Sequence, residues 1–253
     1  MNELVLRQDE DGAATLTLNR PDKLNALTKD VFEALDEHIE AIARDTRKVG
    51  LVILRGAGGN FSAGYDMAEV LQHVKAHAKP HYHSEVIDKL SNLPQPVISA
   101  VEGLCCTGAL ELALAADLIV STESAQFSDV YARWGLTPIW GLSLRLPHRV
   151  GTAKAAEMMY TSRTYSGVQA QDMHLVNFCF PDDRFEPELA ALTKDILANS
   201  WYANQVNKRA LIACDSLPLP QAHALELFKN EGLAPDAQRR VTQFLNRRKA
   251  PPT

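Results

Sequence analysis

Glu111 is the residue whose type fits its surroundings least. It lies among Leu110, Leu112, Ala113 and Leu114, and an unpaired carboxylate on an apolar helix is costly to bury. Either backbone donors satisfy it as a structural carboxylate, or it handles a proton in a shielded site. The apolar run Val97–Val101 leads through Gly103 and Gly108 into that helix. A second segment has the same plan: Leu51–Leu54 leads through Gly56, Gly58, Gly59 and Gly64 into a helix opening at Asp66 or Met67. If the two runs are neighbouring parallel strands, both helix starts lie at one sheet edge. One backbone N–H from each loop can then converge on a single oxygen. That geometry stabilises a carbonyl turning into an enolate or a tetrahedral adduct.

Other candidate chemistry is weaker. His73, His77, His81 and His83 cluster, and the first three are four apart. Histidines at i and i+4 share a helix face and can hold a metal. Pro80 breaks the helix before His81, so the leading reading is solvated histidines and no metal site, with an acid/base histidine reaching the reacting group as the alternative. Gly56-Ala57-Gly58 opens like a dinucleotide loop, but Phe61 stands where the third glycine belongs. Cys105, Cys106, Cys179 and Cys214 show neither zinc spacing nor disulfide density. Lys208-Arg209, Arg239-Arg240 and Arg247-Arg248-Lys249 read as solvated faces, one of which can meet ligand phosphates.

The elements that must position Glu111 follow from pattern. Leu4–Leu6 and Ala14–Leu18 flank an Asp11-Gly12 turn, a hairpin signal. Thr28 caps a helix to about Ala43 with Val31, Leu35, Ile39 and Ile42 on one face. Helices are expected from Asp66 or Met67 to about Ala78 and from Ser84 to Leu93. Gly103 to Gly108 reads as loop. Beyond it, Leu118–Val120 and Val176–Phe180 are strand-like. Helices are expected over Gly141–Val150, Ala153–Tyr160, Val168–Met173, Glu186–Ser200, Ala203–Ala213 and Leu219–Leu233, with a solvated tail from Arg247. Strands alternating with helices, then helices alone, make an α/β protein with a helical C-terminal region. The division is 1–198 for the core and 199–253 for the helices.

Net charge is −5, which argues against nucleic acid as partner. No apolar run reaches the roughly 18 residues of a membrane span, and the N-terminus lacks a signal-peptide pattern. The expectation is a cytoplasmic protein.

Asn19-Arg20-Pro21 with Leu24-Asn25-Ala26-Leu27, then Phe61-Ser62-Ala63-Gly64-Tyr65-Asp66, then Pro96-Val97-Ile98 with Val101-Glu102-Gly103, Gly108 and Glu111-Leu112-Ala113 occur in order. Ala116-Asp117, Ala125-Gln126-Phe127 and Gly135-Leu136-Thr137-Pro138 follow. The series resembles the crotonase (enoyl-CoA hydratase/isomerase) superfamily over nearly the whole chain.

The resemblance implies repeated ββα units in a spiral and a C-terminal region that forms trimers, often paired into hexamers. It implies an acyl-CoA thioester as ligand, with coenzyme A as part of the substrate and no separate cofactor. The Tyr65 and Gly108 N–H groups would form the oxyanion hole. Lys23, Leu24 and Ala26 would lie against the CoA nucleotide; Ala63, Asp66 and Met67 near the pantetheine and thioester; Leu136 and Trp140 at the acyl pocket. The segment with the histidines would be a mobile lid.

The hydratases use two carboxylates. One matches Glu111, but the second position, four residues after Phe127, is Tyr131 here. Adding water across a conjugated double bond needs a base for water and an acid for carbon. Tyrosine, with an ordinary pKa of about 10, is a donor rather than a base. Asp129 is the other candidate, because residues two apart on an extended segment share a face; its alternative role is a cap. Where the family often has Pro-Gly-x-Gly-Gly, this chain has Pro138-Ile139-Trp140-Gly141-Leu142; Ile139 and Trp140 are bulky, and either shape the acyl pocket or pack the core. The leading activity is hydration of a 2-enoyl-CoA. Isomerisation, decarboxylation, hydrolysis and non-catalytic acyl-CoA binding are the alternatives.

Overall fold

The computed structural model describes residues 3–76, 81–229 and 231–249, with backbone alone at 73–76 and 247–249. The chain opens with a hairpin, β1 (Val5–Glu10) and β2 (Ala13–Leu18), turned by Asp11 and Gly12 in left-handed conformations. The helix α1 (Lys29–Arg44) starts at Thr28, whose side chain accepts the Val31 N–H, and buries Val31, Phe32, Leu35, Ile39 and Ile42. Strand β3 (Leu51–Gly56) follows, then α2 (Met67–Ala76), α3 (His81–Ser91) and β4 (Val97–Val101). All of β4 is buried, as expected of a strand covered on both faces.

A short strand β5 (Leu104–Cys106) then enters α4 (Gly108–Ala113), which carries Glu111. Next come β6 (Leu118–Thr122), β7 (Gln126–Ser128), α5 (Leu142–Val150), α6 (Thr152–Thr161), β8 (Thr164–Ser166), α7 (Gly167–Asp172) and β9 (Phe178–Phe180). Four helices end the chain: α8 (Phe185–Ala198), α9 (Trp201–Cys214), α10 (Leu219–Phe228) and α11 (Ala237–Lys249).

The strands form two sheets. One runs β1-β2-β3-β4-β6-β9, parallel except for the hairpin. The other is β5-β7-β8. Successive repeats of the chain feed first the large sheet and then the small one, which is the ββα spiral. The main core lies between the large sheet and α1, α3 and α4; a smaller one, with Ile53, Ile98, Val120, Phe185 and Leu189, lies under α8.

Several expectations are corrected. The loop read between Gly103 and Gly108 contains β5, a strand too short to show a period. Helix α3 begins at His81, three residues early, and α11 continues to Lys249 where a tail was expected. His77 and Pro80 lie outside the described residues, as does the side chain of His73. His83 is not solvated: it is 3% exposed. Among the described residues no group of His, Cys, Asp and Glu could hold a metal, and no helix is long and apolar enough to cross a membrane.

Helix α9 is fastened to the core. Lys208 is buried, and its Nζ donates to Asp117 Oδ2 at 2.7 Å and to the Gln95 carbonyl at 3.0 Å. That corrects the reading of Lys208-Arg209 as a solvated pair; Arg209 meets Glu231. The Trp201 ring fills the space that a Cβ at Gly12 or Gly50 would need. Farther along, Leu211, Leu219, Leu227, Phe228 and Leu233 are exposed.

Candidate active site

The two glycine loops meet through a single parallel bridge. Strands β3 and β4 are parallel neighbours, so their C-terminal ends deliver both loops to one edge. The Ser62 N–H donates to the Leu104 carbonyl, the Cys106 N–H donates to the Ser62 carbonyl, and Ser62 bridges Cys105. The loops approach closely at Gly64: with φ +95°, a Cβ built there would lie 2.5 Å from the Cys106 carbonyl oxygen and 3.4 Å from the Gly108 nitrogen. Only glycine permits this closeness.

Thr107 holds the junction. It sits at φ 50°, ψ −110°, outside the conformations open to a β-branched residue. Its N–H donates to the Ser128 carbonyl and its carbonyl accepts the Glu111 N–H. The Gly108 N–H is thereby the first of α4, among those without an intrahelical acceptor. Nothing in Cys106-Thr107-Gly108 signals this strain in the sequence.

Glu111 lies one helical turn beyond Gly108, on the same face. It is fully buried. Oε1 accepts the Trp140 N–H at 2.9 Å and the Leu142 N–H at 3.2 Å. Oε2 accepts the Tyr131 hydroxyl at 2.6 Å. All its donors are neutral. Burial pushes its pKa up from 4.5 to about 7; the bonds from Tyr131, Leu142 and Trp140 pull the other way, and nearby Asp129 adds to the rise. Such a carboxyl both takes and gives a proton near neutrality. Burial, then the Glu111 charge, raises the Tyr131 pKa far above its ordinary value, so Tyr131 stays protonated and acts as a donor.

Asp129 and Tyr131 are not on an extended face. Tyr131 opens a 3-10 turn, Tyr131–Trp134. The Asp129 carboxylate accepts the Tyr131 N–H at 3.0 Å. Asp129 is 1% exposed, and burial raises its pKa while that bond lowers it. It caps the turn that points Tyr131 at Glu111.

The remaining predicted positions divide. Lys23, Leu24 and Met67 are exposed, and Ala26 and Ala63 half-buried, around the mouth of the two loops. The Ala63 N–H donates to Leu24 and the Leu27 N–H to Gly64, which ties that mouth together. Leu136 is half-buried beyond the 3-10 turn. Asp66 is engaged: it pairs with Arg20 at 3.3 Å and accepts the Ala68 N–H at the start of α2. Trp140 is packed in the core at 1% exposure.

The residues alone did not single out several supports. Buried Asn25 bonds the carbonyls of Ala57 and Asn60 and accepts the Arg20 N–H, clamping the two entrance loops. His83 meets the rings of Phe32, Tyr65 and Trp140. Its signal was present: His83, Val86, Ile87 and Leu90 follow the i, i+3, i+4, i+7 pattern of a buried face.

The profile of the Enoyl-CoA hydratase/isomerase family matches residues 8–252. The chain belongs to that family. It is 36% identical over 208 residues to a probable enoyl-CoA hydratase of Mycobacterium bovis, covering 78% of this chain and 73% of that one. It is 29% identical to the crotonyl-CoA hydratase of Syntrophomonas wolfei, over 98% of this chain and 97% of the other. The crystal structure of an enoyl-CoA hydratase/carnithine racemase from Magnetospirillum magneticum superposes with a TM-score of 0.88 at 30% identity, covering 100% of this chain and 96% of that chain. As a member of the enoyl-CoA hydratase/isomerase family, the chain has the crotonase fold described above, in which substrates are acyl-CoA thioesters.

Proposed function

We propose that this family member hydrates a 2-enoyl-CoA. The observation that carries the reading is Glu111: a buried carboxylate without a counter-ion among the described residues, its pKa near 7, one helical turn from Gly108. The thioester oxygen is held by the Tyr65 and Gly108 N–H groups. The Glu111 carboxylate takes a proton from water as the water oxygen bonds to the β-carbon. The π electrons move onto the thioester oxygen as an enolate. Glu111, now a carboxylic acid, returns the proton to the α-carbon, and the enolate collapses to the thioester. Tyr131 donates to Glu111 throughout and keeps it oriented; Asp129 positions Tyr131.

Lys23, Leu24 and Ala26 meet the nucleotide of coenzyme A. Ala63 and Met67 flank the pantetheine, where Asp66 acts through the helix start it caps, and Leu136 borders the acyl group. The exposed apolar residues of the C-terminal helices favour burial against further copies, as a homotrimer or a dimer of trimers.

A second reading, double-bond isomerisation, is favoured by one observation: Asp129 is bound to backbone, leaving Glu111 as the proton-handling carboxylate, and one carboxylate suffices to move a proton between carbons. An absorbance assay with crotonyl-CoA, wild type beside Glu111→Gln, decides. Loss of the conjugated absorbance, abolished by the substitution, is the result expected. Conversion of 3-enoyl-CoA without hydration would establish isomerisation. Tight acyl-CoA binding without turnover of any enoyl-CoA would make the chain a binding protein.

A further inference from the structure

We propose that the indole of Trp140 closes the acyl end of the site and restricts the enzyme to short acyl groups. The inference rests on the thioester oxygen lying at the Gly108 N–H. Trp140 is bound at both ends of its backbone. Its N–H donates to Glu111 Oε1 at 2.9 Å, and its carbonyl accepts Arg145 Nη1 at 2.8 Å. Arg145 in turn pairs with Asp88 of α3 at 2.5 Å. The ring is equally fixed. Its six-membered edge lies over Gly108, where a Cβ would come within 2.5 Å of Cζ3 and 3.2 Å of Cε3. The ring centroids of Tyr65, Phe32 and His83 lie 5.0, 5.2 and 5.3 Å away.

With the oxygen at Gly108, the reacting carbons lie between that N–H and the Glu111 carboxylate. Trp140 touches both ends of this space, through its ring at Gly108 and its N–H at Glu111. Behind it, Phe32 is 0% and His83 3% exposed. Packed interiors leave no room for added methylenes unless side chains are displaced. A chain growing past the β-carbon on this side therefore meets closed aromatic packing instead of a channel.

The test compares butyryl-, hexanoyl- and octanoyl-CoA for binding by calorimetry, and the matching 2-enoyl-CoA thioesters for kcat/KM. Wild type is set beside Trp140→Phe and Trp140→Leu, each checked for its folded circular dichroism. Wild type should lose about tenfold or more in both measures from the four-carbon to the eight-carbon chain. Trp140→Leu should recover most of that loss, and Trp140→Phe part of it. Equal binding of butyryl and octanoyl thioesters by wild type would overturn the limit while leaving the hydratase reading intact. A folded Trp140→Leu with the wild-type profile would overturn it too. If both leucine and phenylalanine variants fail to fold, the wild-type profile decides alone. Absence of acyl-CoA binding at any length would remove the functional reading and this limit with it.

Discussion

Glu111 and Lys208 are both buried ionisable groups, and they are treated in opposite ways. Lys208 is paired: Asp117 supplies a counter-charge and Gln95 a carbonyl. Asp117 Oδ2 also accepts the Val97 N–H at 2.7 Å, so the pair joins α9 to the first residue of the central strand. Glu111 has only neutral donors. Burial without a counter-ion moves its proton equilibrium to about 7, whereas for Lys208 burial lowers the pKa and Asp117 opposes the shift. A buried charge that is neutralised fixes architecture; one that is merely solvated by dipoles is left able to exchange its proton.

The largest way to test the contrast is Glu111→Gln. Turnover should fall by about 10²–10⁴-fold, the range for loss of a positioned acid or base. Stability should move the other way at high pH. The folded carboxyl titrates at about 7 against an ordinary 4.5, so between those values the folded state holds a proton that the unfolded chain has lost. Wild-type stability is therefore full at low pH and declines as pH rises through about 7, by on the order of 3 kcal/mol. Thermal unfolding from about pH 5 to pH 9 should show that decline in wild type and not in Glu111→Gln. A parallel decline in both would show that Glu111 is not the group responsible.

The counterpart is Lys208→Met. Removing the ammonium leaves Asp117 and the Gln95 carbonyl without their shared donor. The cost should be about 2–4 kcal/mol, below that of a fully buried pair because Asp117 is 33% exposed and partly solvated. Chemical denaturation measures it. Turnover per folded protein should change little, since Lys208 acts through the fold. A Lys208 variant with native stability but no activity would erase the distinction drawn between the two groups.

The two groups were also unequally legible. Glu111 stood out because a carboxylate on an apolar helix is locally anomalous, and the two glycine loops announced themselves by repeating one plan. Lys208 lay in a basic pair that reads as solvated, and its partner Asp117 is 91 residues away. No local pattern joins them. The strongly patterned elements, α1, β3 and β4, were readable from period and capping, while β5 was hidden by its three-residue length. Tyr131 entered through family position. Extended geometry placed it beside Asp129, but the bond from its own N–H to Asp129 curls the chain into a 3-10 turn and aims the hydroxyl at Glu111.

That hydroxyl gives a smaller test. Tyr131→Phe removes the 2.6 Å bond that lowers the Glu111 pKa. The rising limb of kcat/KM against pH, set near 7 by Glu111 as base, should shift to higher pH. At neutrality the rate should fall by about 10- to 100-fold, the worth of one hydrogen bond to a charged group. An unchanged rate and profile would leave Tyr131 without a part in the chemistry, and Glu111 more isolated from its surroundings than the bonding implies.

The smallest effect concerns the backbone on which each group is mounted. Helix α9 begins conventionally: Ser200 is extended and its hydroxyl accepts the Ala203 N–H. Helix α4 begins at Thr107, in a conformation suited to glycine and with no side-chain cap. Strain of this kind costs about 1–3 kcal/mol, while glycine adds about 0.5–1 kcal/mol of unfolded-state entropy. Thr107→Gly should therefore stabilise the protein by about 1 kcal/mol, read as a raised Tm. The equivalent change at the start of α9, Ser200→Gly, has no strain to relieve and loses a cap, so it should leave Tm unchanged or lower. If Thr107→Gly lowers Tm as much as Ser200→Gly does, the junction before Gly108 is held by the threonine side chain and not in spite of its backbone.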